Sequence, residues 1–112
     1  MSQSHGLSAE RLIKALHTFR AAKAEITVSE VITLLRLSTS NENDAIDPSS
    51  VAEELAAPLN TVSQMLARLE MGKQGQGGAK LIEVSIDLMD RRKRRLELTA
   101  KGRALVRSAT GG

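Results

Sequence analysis

A run of five basic side chains follows an aspartate near the end of the sequence. The residues are Asp90, Arg91, Arg92, Lys93, Arg94 and Arg95. On both sides of the run, at residues 83–88 and 95–98, polar and apolar residues alternate with the period of a strand that buries one face. The pattern predicts a β-hairpin over residues 80–99 with a cationic tip. Such a tip is suited to contact a large anion, and nucleic acid is the commonest one in a cytoplasm.

The positive charge is concentrated in the same part of the sequence. Residues 79–112 contain nine Lys and Arg against four Asp and Glu, which gives a net charge of +5. Residues 1–78 contain seven against nine, a net charge of −2, so the whole chain carries +3. This uneven distribution is typical of a nucleic-acid-binding protein.

A second group of polar side chains lies on a helix predicted over residues 61–70. One face of this helix is apolar, with Val62, Leu66 and Leu69. The other face carries side chains suited to reading DNA: Gln pairs with adenine, Arg pairs with guanine, and Ser or Thr contacts phosphates and base edges. Asn60 is expected to cap the helix. We predict that five residues contact a major groove, namely Asn60, Thr61, Ser63, Gln64 and Arg68.

Three further helices are predicted before this one. The first covers residues 8–24 with Ser8 as its N-cap, and the second begins near Thr27, whose spacing to Glu30 is that of a capping box. The apolar face of the second helix is expected to be largely buried, and residues 38–47 are expected to form a loop. A short third helix starts after Asp47 with Pro48 at its first position. A last helix follows Thr99.

Together these elements predict a mainly α protein with a β-hairpin (α+β), in the order α-α-α-α-β-β-α. Residues 48–70 have the arrangement of a helix-turn-helix, and the hairpin of residues 80–99 would be its wing. We therefore expect residues 1–112 to form a single winged helix-turn-helix domain.

Composition excludes several other classes of protein. The chain has 112 residues, no Cys, no Tyr or Trp, and one Phe, so thiolate chemistry and aromatic base-stacking platforms are disfavoured. Two separated His residues do not suggest a metal site, and no catalytic set stands out, so neither an enzyme, a metal nor a cofactor is expected. There is no apolar run long enough for a membrane span and no secretory signal, which predicts a cytoplasmic protein, associated with the nucleoid when bound.

The sequence resembles the MarR family of bacterial transcription regulators over residues 51–105. Residues 90–102 read DRRKRRLELTAKG, and the family's wing commonly reads D-x-R followed by a strand and L-T-x-x-G. Residues 51–55, 60–70 and 81–84 also match. The resemblance implies a dimeric winged-helix protein that binds double-stranded DNA, with Asp90 orienting Arg92 for a minor groove.

The resemblance also raises the question of how such a dimer would form. The sequence ends soon after Thr99, whereas the family continues into long dimerisation helices. The apolar face of the first helix, with Leu12, Leu16 and Phe19, either packs into the core of its own chain or pairs with its copy in a homodimer. We expect the homodimer, because few other surfaces are left for it. The family often senses phenolic or oxidising molecules, and the scarcity of aromatic residues and absence of Cys argue against such an effector.

Two functions remain open from the sequence. The first is a sequence-specific transcriptional regulator, expected to be a repressor. The alternative is a winged-helix adaptor in replication, conjugation or sequestration of another regulator, with little DNA binding of its own.

Overall fold

The computed structural model describes residues 8–40, 46–71, 79–86 and 94–111. Within these residues the predicted fold class and element order are confirmed. The helices and strands are α1 (Ala9–Ala22), α2 (Val28–Thr39), α3 (Pro48–Leu55), α4 (Leu59–Met71), β1 (Ile82–Ile86), β2 (Arg94–Leu98) and α5 (Ala100–Thr110). The glycine-rich residues 72–78 and the hairpin tip with Asp90, Arg91, Arg92 and Lys93 lie outside the described residues.

The helices begin where the sequence places their caps. The Ser8 hydroxyl accepts a hydrogen bond from the Arg11 N–H at 3.2 Å, which caps α1. Reciprocal bonds between Thr27 and Glu30 form a capping box at the start of α2. Asp47 forms a second box at the start of α3. These side chains satisfy backbone N–H groups that have no partner within the first turn of a helix.

The turn between α3 and α4 starts α4 earlier than the sequence predicts. Ala56 ends α3 in the left-handed conformation, with φ 51° and ψ 46°, and reverses the chain. The Pro58 carbonyl already accepts a hydrogen bond from the Val62 N–H at 3.1 Å. The predicted cap at Asn60 is therefore wrong, since Asn60 lies within the first turn and its Oδ1 accepts from the Thr61 N–H at 2.9 Å.

Replacing Ala56 by Gly is expected to stabilise the protein by about 0.5–1 kcal/mol. The left-handed conformation costs an L-residue roughly 1–2 kcal/mol, and the larger entropy of glycine in the unfolded chain offsets part of the gain from relieving it. Urea unfolding measures the change. Ala104→Gly, at an exposed position inside α5, is the matched control and is expected to lose about 1 kcal/mol. A loss of stability in Ala56→Gly would contradict the assignment of strain to this turn.

The core is aliphatic apart from one aromatic ring, which is that of Phe19 on α1. The apolar face predicted for α2, with Val28, Val31, Ile32 and Leu35, is only partly buried: Val31 is 7% exposed, whereas Ile32 is 36% and Val28 72% exposed. Leu34, Thr33 and Glu30 are the residues of α2 that are almost fully buried instead, at 0%, 2% and 0% exposed. The rest of the core comes from Val51 of α3, from Leu81, and from apolar side chains of α2, α4, β1, β2 and α5.

The first and last described helices pack against each other. α1 contributes Phe19, which is 1% exposed, and α5 contributes Leu105 and Val106. The expectation that Phe19 pairs with a second chain is therefore corrected, since its ring is buried in the core of its own chain. Leu12 and Leu16 remain 47% and 44% exposed on the outer side of α1.

A third segment joins the hairpin, within the stretch that the sequence predicts to be a loop. Ile46 pairs with Leu96 in an antiparallel bridge, and the Ile46 carbonyl accepts from the Leu96 N–H at 2.9 Å. α2 also runs to Thr39, past the predicted start of that loop. The bridge fixes the hairpin to the chain just before the helix-turn-helix begins.

A surface ion pair links α2 to α3. Arg36 donates through Nε and Nη2 to the two carboxylate oxygens of Glu54, at 2.8 and 2.9 Å. These hydrogen bonds, more than the charge itself, raise the pKa of Arg36 and lower the pKa of Glu54. The planar fork of arginine matches a carboxylate, so the pair bridges the two helices at their surface.

Candidate nucleic-acid interface

Helix α4 separates its two faces sharply. Its inner face is buried through Val62, Met65, Leu66 and Leu69. Its outer face is exposed and carries all the residues predicted to contact a groove, which are Asn60, Thr61, Ser63, Gln64 and Arg68. A helix needs such a division if it is to be held rigidly by a core while presenting hydrogen-bonding groups to base edges.

The hairpin leaves the core as it approaches its tip. In the antiparallel register Ile82 faces Leu98 and Val84 faces Leu96, and three of these four side chains are buried. Farther along, Ile86 faces Arg94, and both are exposed. Arg94 is thus the one predicted wing residue within the described part of the chain, and it lies at the beginning of the return strand.

The base of the hairpin is clamped by the start of α5. The Thr99 hydroxyl donates to the Lys80 carbonyl at 2.6 Å and accepts from the Gly102 N–H at 3.0 Å. The Thr99 N–H donates to the Leu81 carbonyl at 3.0 Å. Lys80 adopts a left-handed φ of 50°, which turns the chain into this clamp. The L-T-x-x-G stretch therefore secures the strand that leads into the wing.

Sequence reasoning missed one residue beside the recognition face. Glu30 of α2 is fully buried, and its Oε2 lies 3.9 Å from the Nε of Arg68 on α4. Its Oε1 lies 3.3 Å from the Nζ of Lys23 and accepts from the Thr27 N–H. The capping-box pattern located Glu30 at a helix start, but no local signal shows that α4 packs over it.

The described residues show no arrangement suited to catalysis with a metal. Residues 8–40, 46–71, 79–86 and 94–111 contain no group of three His, Cys, Asp or Glu side chains that could hold an ion. In the same residues no helix is both long and apolar enough to cross a membrane.

A rigid helix with an exposed polar face, preceded by a short helix and followed by a clamped hairpin, defines a winged helix-turn-helix.

Solved structures with this fold match nearly the whole chain, and they include MarR-family regulators. The DNA complex of MepR from S. aureus has a TM-score of 0.73 at 28% identity, over 91% of this chain and 74% of that one. RV1404 from Mycobacterium tuberculosis has a TM-score of 0.70 at 28% identity, over 92% of this chain and 65% of that one. Another MepR structure, described as a transcription regulator of the multidrug efflux pump MepA, has a TM-score of 0.66 at 26% identity, over 91% of this chain and 67% of that one.

The structural match confirms the resemblance seen in the sequence. No protein-family model matches the chain, and no curated protein matches it either. The chain is shorter than the solved chains and spans 65% and 74% of the lengths of RV1404 and the DNA-bound MepR. The matches therefore cover nearly all of this chain but only part of each solved chain.

Proposed function

We propose that this protein is a sequence-specific transcriptional regulator that binds double-stranded DNA. The observation that carries the proposal is the exposed polar face of α4 next to a hairpin that emerges from the core. The MepR–DNA complex, which has the same fold, supports it. In this proposal α4 enters a major groove, and Thr61, Ser63, Gln64 and Arg68 meet base edges and phosphates, with Asn60 at the mouth of the groove.

The wing supplies charge to the neighbouring groove. Asp90 orients Arg92 for a minor groove, as the resemblance to the MarR family implies, while Arg91, Lys93 and Arg94 contact phosphates.

The protein acts as a homodimer in a bacterial cytoplasm and represses transcription by occupying a site that overlaps a promoter. The exposed Leu12 and Leu16 on α1 are the proposed dimer contacts. Size-exclusion chromatography with light scattering of Leu16→Glu tests this contact, and an unchanged mass would refute it.

Arg92→Ala is expected to weaken binding to every DNA sequence and to reduce the salt dependence of binding by about one charge. Each cation that neutralises a phosphate releases counterions, so the slope of log K against log salt falls by roughly 0.9 for each phosphate that is no longer neutralised. Fluorescence anisotropy on a labelled duplex across a salt series measures both quantities. Arg107→Ala, which removes the same charge from α5, is the matched control and should leave the slope unchanged.

Two results would contradict parts of this proposal. An unchanged slope in Arg92→Ala would show that Arg92 does not contact DNA, and it would not contradict the proposed role of α4. If the unmodified protein binds no duplex even at low salt, a regulator that binds DNA is excluded, and the winged-helix adaptor becomes the better account.

A further inference from the structure

The two carboxylate oxygens of Glu30 have different surroundings. Oε1 accepts from the Thr27 N–H at 2.8 Å and from the Lys23 Nζ at 3.3 Å. Oε2 is buried and has no hydrogen-bond partner among the described residues, although the Arg68 Nε lies 3.9 Å away. A buried charge is costly unless its hydrogen-bonding capacity is used, so Oε2 needs an explanation.

The capping box does not supply that explanation. A capping box requires one oxygen that accepts from the N-cap N–H, and glutamine serves there as well as glutamate. Oε1 already fills this role for Thr27. The negative charge and the second oxygen of Glu30 are therefore surplus to the cap.

The packing of α2 on α4 shows where Oε2 lies. Thr33, one turn after Glu30 on α2, has its hydroxyl 4.0 Å from the Met65 Sδ. Met65 lies one turn before Arg68 on α4, so the two helices run antiparallel along this contact. At the end of this contact the Nε of Arg68 approaches the buried carboxylate of Glu30. The rest of the Arg68 side chain, which is 49% exposed, lies on the predicted DNA face.

We propose that Glu30 is a positioning residue for DNA recognition by Arg68. Its Oε2 restrains the Nε edge of the guanidinium and leaves the two Nη nitrogens to donate to guanine or a phosphate. An unrestrained arginine must lose its rotamer freedom when it binds, whereas a guanidinium held by a carboxylate loses less. When DNA orders Arg68, the 3.9 Å gap closes to a hydrogen bond that satisfies Oε2. This inference rests on the proposed DNA binding and adds a residue that does not itself touch DNA.

The test is a double-mutant cycle on a duplex selected from a random-sequence library by the unmodified protein. Glu30→Gln keeps an oxygen for the capping box and removes the charge. It is expected to weaken binding to the selected duplex about tenfold, and to cause no further loss when Arg68 is already Ala. The sign is diagnostic, because removing a negative charge would by itself strengthen binding to DNA.

Glu10→Gln provides the matched control, since it removes the same charge from an exposed position in the first turn of α1. It is expected to bind the selected duplex as the unmodified protein does, or slightly more tightly. An unselected duplex of equal length separates orientation from folding, because a folding defect in Glu30→Gln would weaken binding to both duplexes equally.

The outcomes distinguish the two proposals. If the unmodified protein selects no duplex, the proposed function fails and the role of Glu30 fails with it. If the protein binds but Glu30→Gln loses as much affinity in the Arg68→Ala background, Glu30 is merely structural and only this inference is overturned.

If the Glu30→Gln variant does not fold, a measurement on the unmodified protein still tests the proposal. The NMR signal of the Arg68 Nε–H, assigned by its loss in Arg68→Lys, reports directly on the contact with Oε2. We expect this proton to be protected from solvent exchange in the complex with the selected duplex. Rapid exchange in that complex would overturn the proposal.

Discussion

Gly102→Ala is expected to lower the free energy of unfolding by about 3 kcal/mol, although glycine-to-alanine changes inside helices normally raise it by about 1 kcal/mol. A Cβ at Gly102 would overlap the Leu81 carbonyl oxygen and lie 3.2 Å from the Leu98 Cδ2. Because the obstacle is backbone, no rotamer change relieves it, and α5 must move away from Leu81. That movement breaks the hydrogen bonds by which Thr99 holds residues 80 and 81.

Thermal and urea unfolding measure this loss, and a fall in Tm of more than about 10 °C is expected for a domain of this size. Gly111→Ala is the matched control. It adds the same methyl group where no atom lies within 4 Å, at a φ of 76°, so only the backbone strain of about 1 kcal/mol is expected. If Gly102→Ala proves no more costly than Gly111→Ala, the close approach of α5 to Leu81 is wrong.

Gln64→Ala is expected to weaken binding to the selected duplex by about 1–3 kcal/mol and to relax specificity at one base pair. Gln64 is exposed on α4, so its removal should leave the free energy of unfolding within about 0.5 kcal/mol of the original value. Competition with duplexes that differ at single positions identifies the base pair. The unmodified protein should discriminate there, and the variant should not.

Ser108→Ala serves as the control for Gln64→Ala, because Ser108 is an exposed polar residue on α5 and lies outside the proposed recognition face. It should bind all duplexes as the unmodified protein does. An equal loss by Gln64→Ala on every duplex would assign Gln64 to the DNA backbone instead of a base.

The features that were predictable from sequence are those with local causes. The caps at Ser8, Thr27 and Asp47 depend on residues within one turn, and the strands depend on alternation over five residues. The exposed face of α4 follows from helical periodicity in the same way. These signals were sufficient for the element order and for the placement of the recognition residues on one surface.

The features that escaped prediction depend on contacts between distant residues. Ile46 is the one large apolar residue in the polar residues 38–47, and its pairing with Leu96 has no local pattern. Phe19 sits on the same amphipathic helix as Leu16, and only the packing of α5 decides which of the two is buried. Glu30 has the spacing of half a capping box, whereas the environment of its second oxygen is set only when α4 packs over it.

The packing of α1 against α5 also constrains the order in which the chain folds. These helices are far apart in sequence, so their contact closes the longest loop in the described structure and costs correspondingly more chain entropy than the helix-turn-helix does. The ring of Phe19 is buried in a core to which α5 contributes Leu105 and Val106. We therefore expect α1 to dock late in folding, after the helix-turn-helix has formed, with Phe19 left exposed to solvent until α5 packs against it.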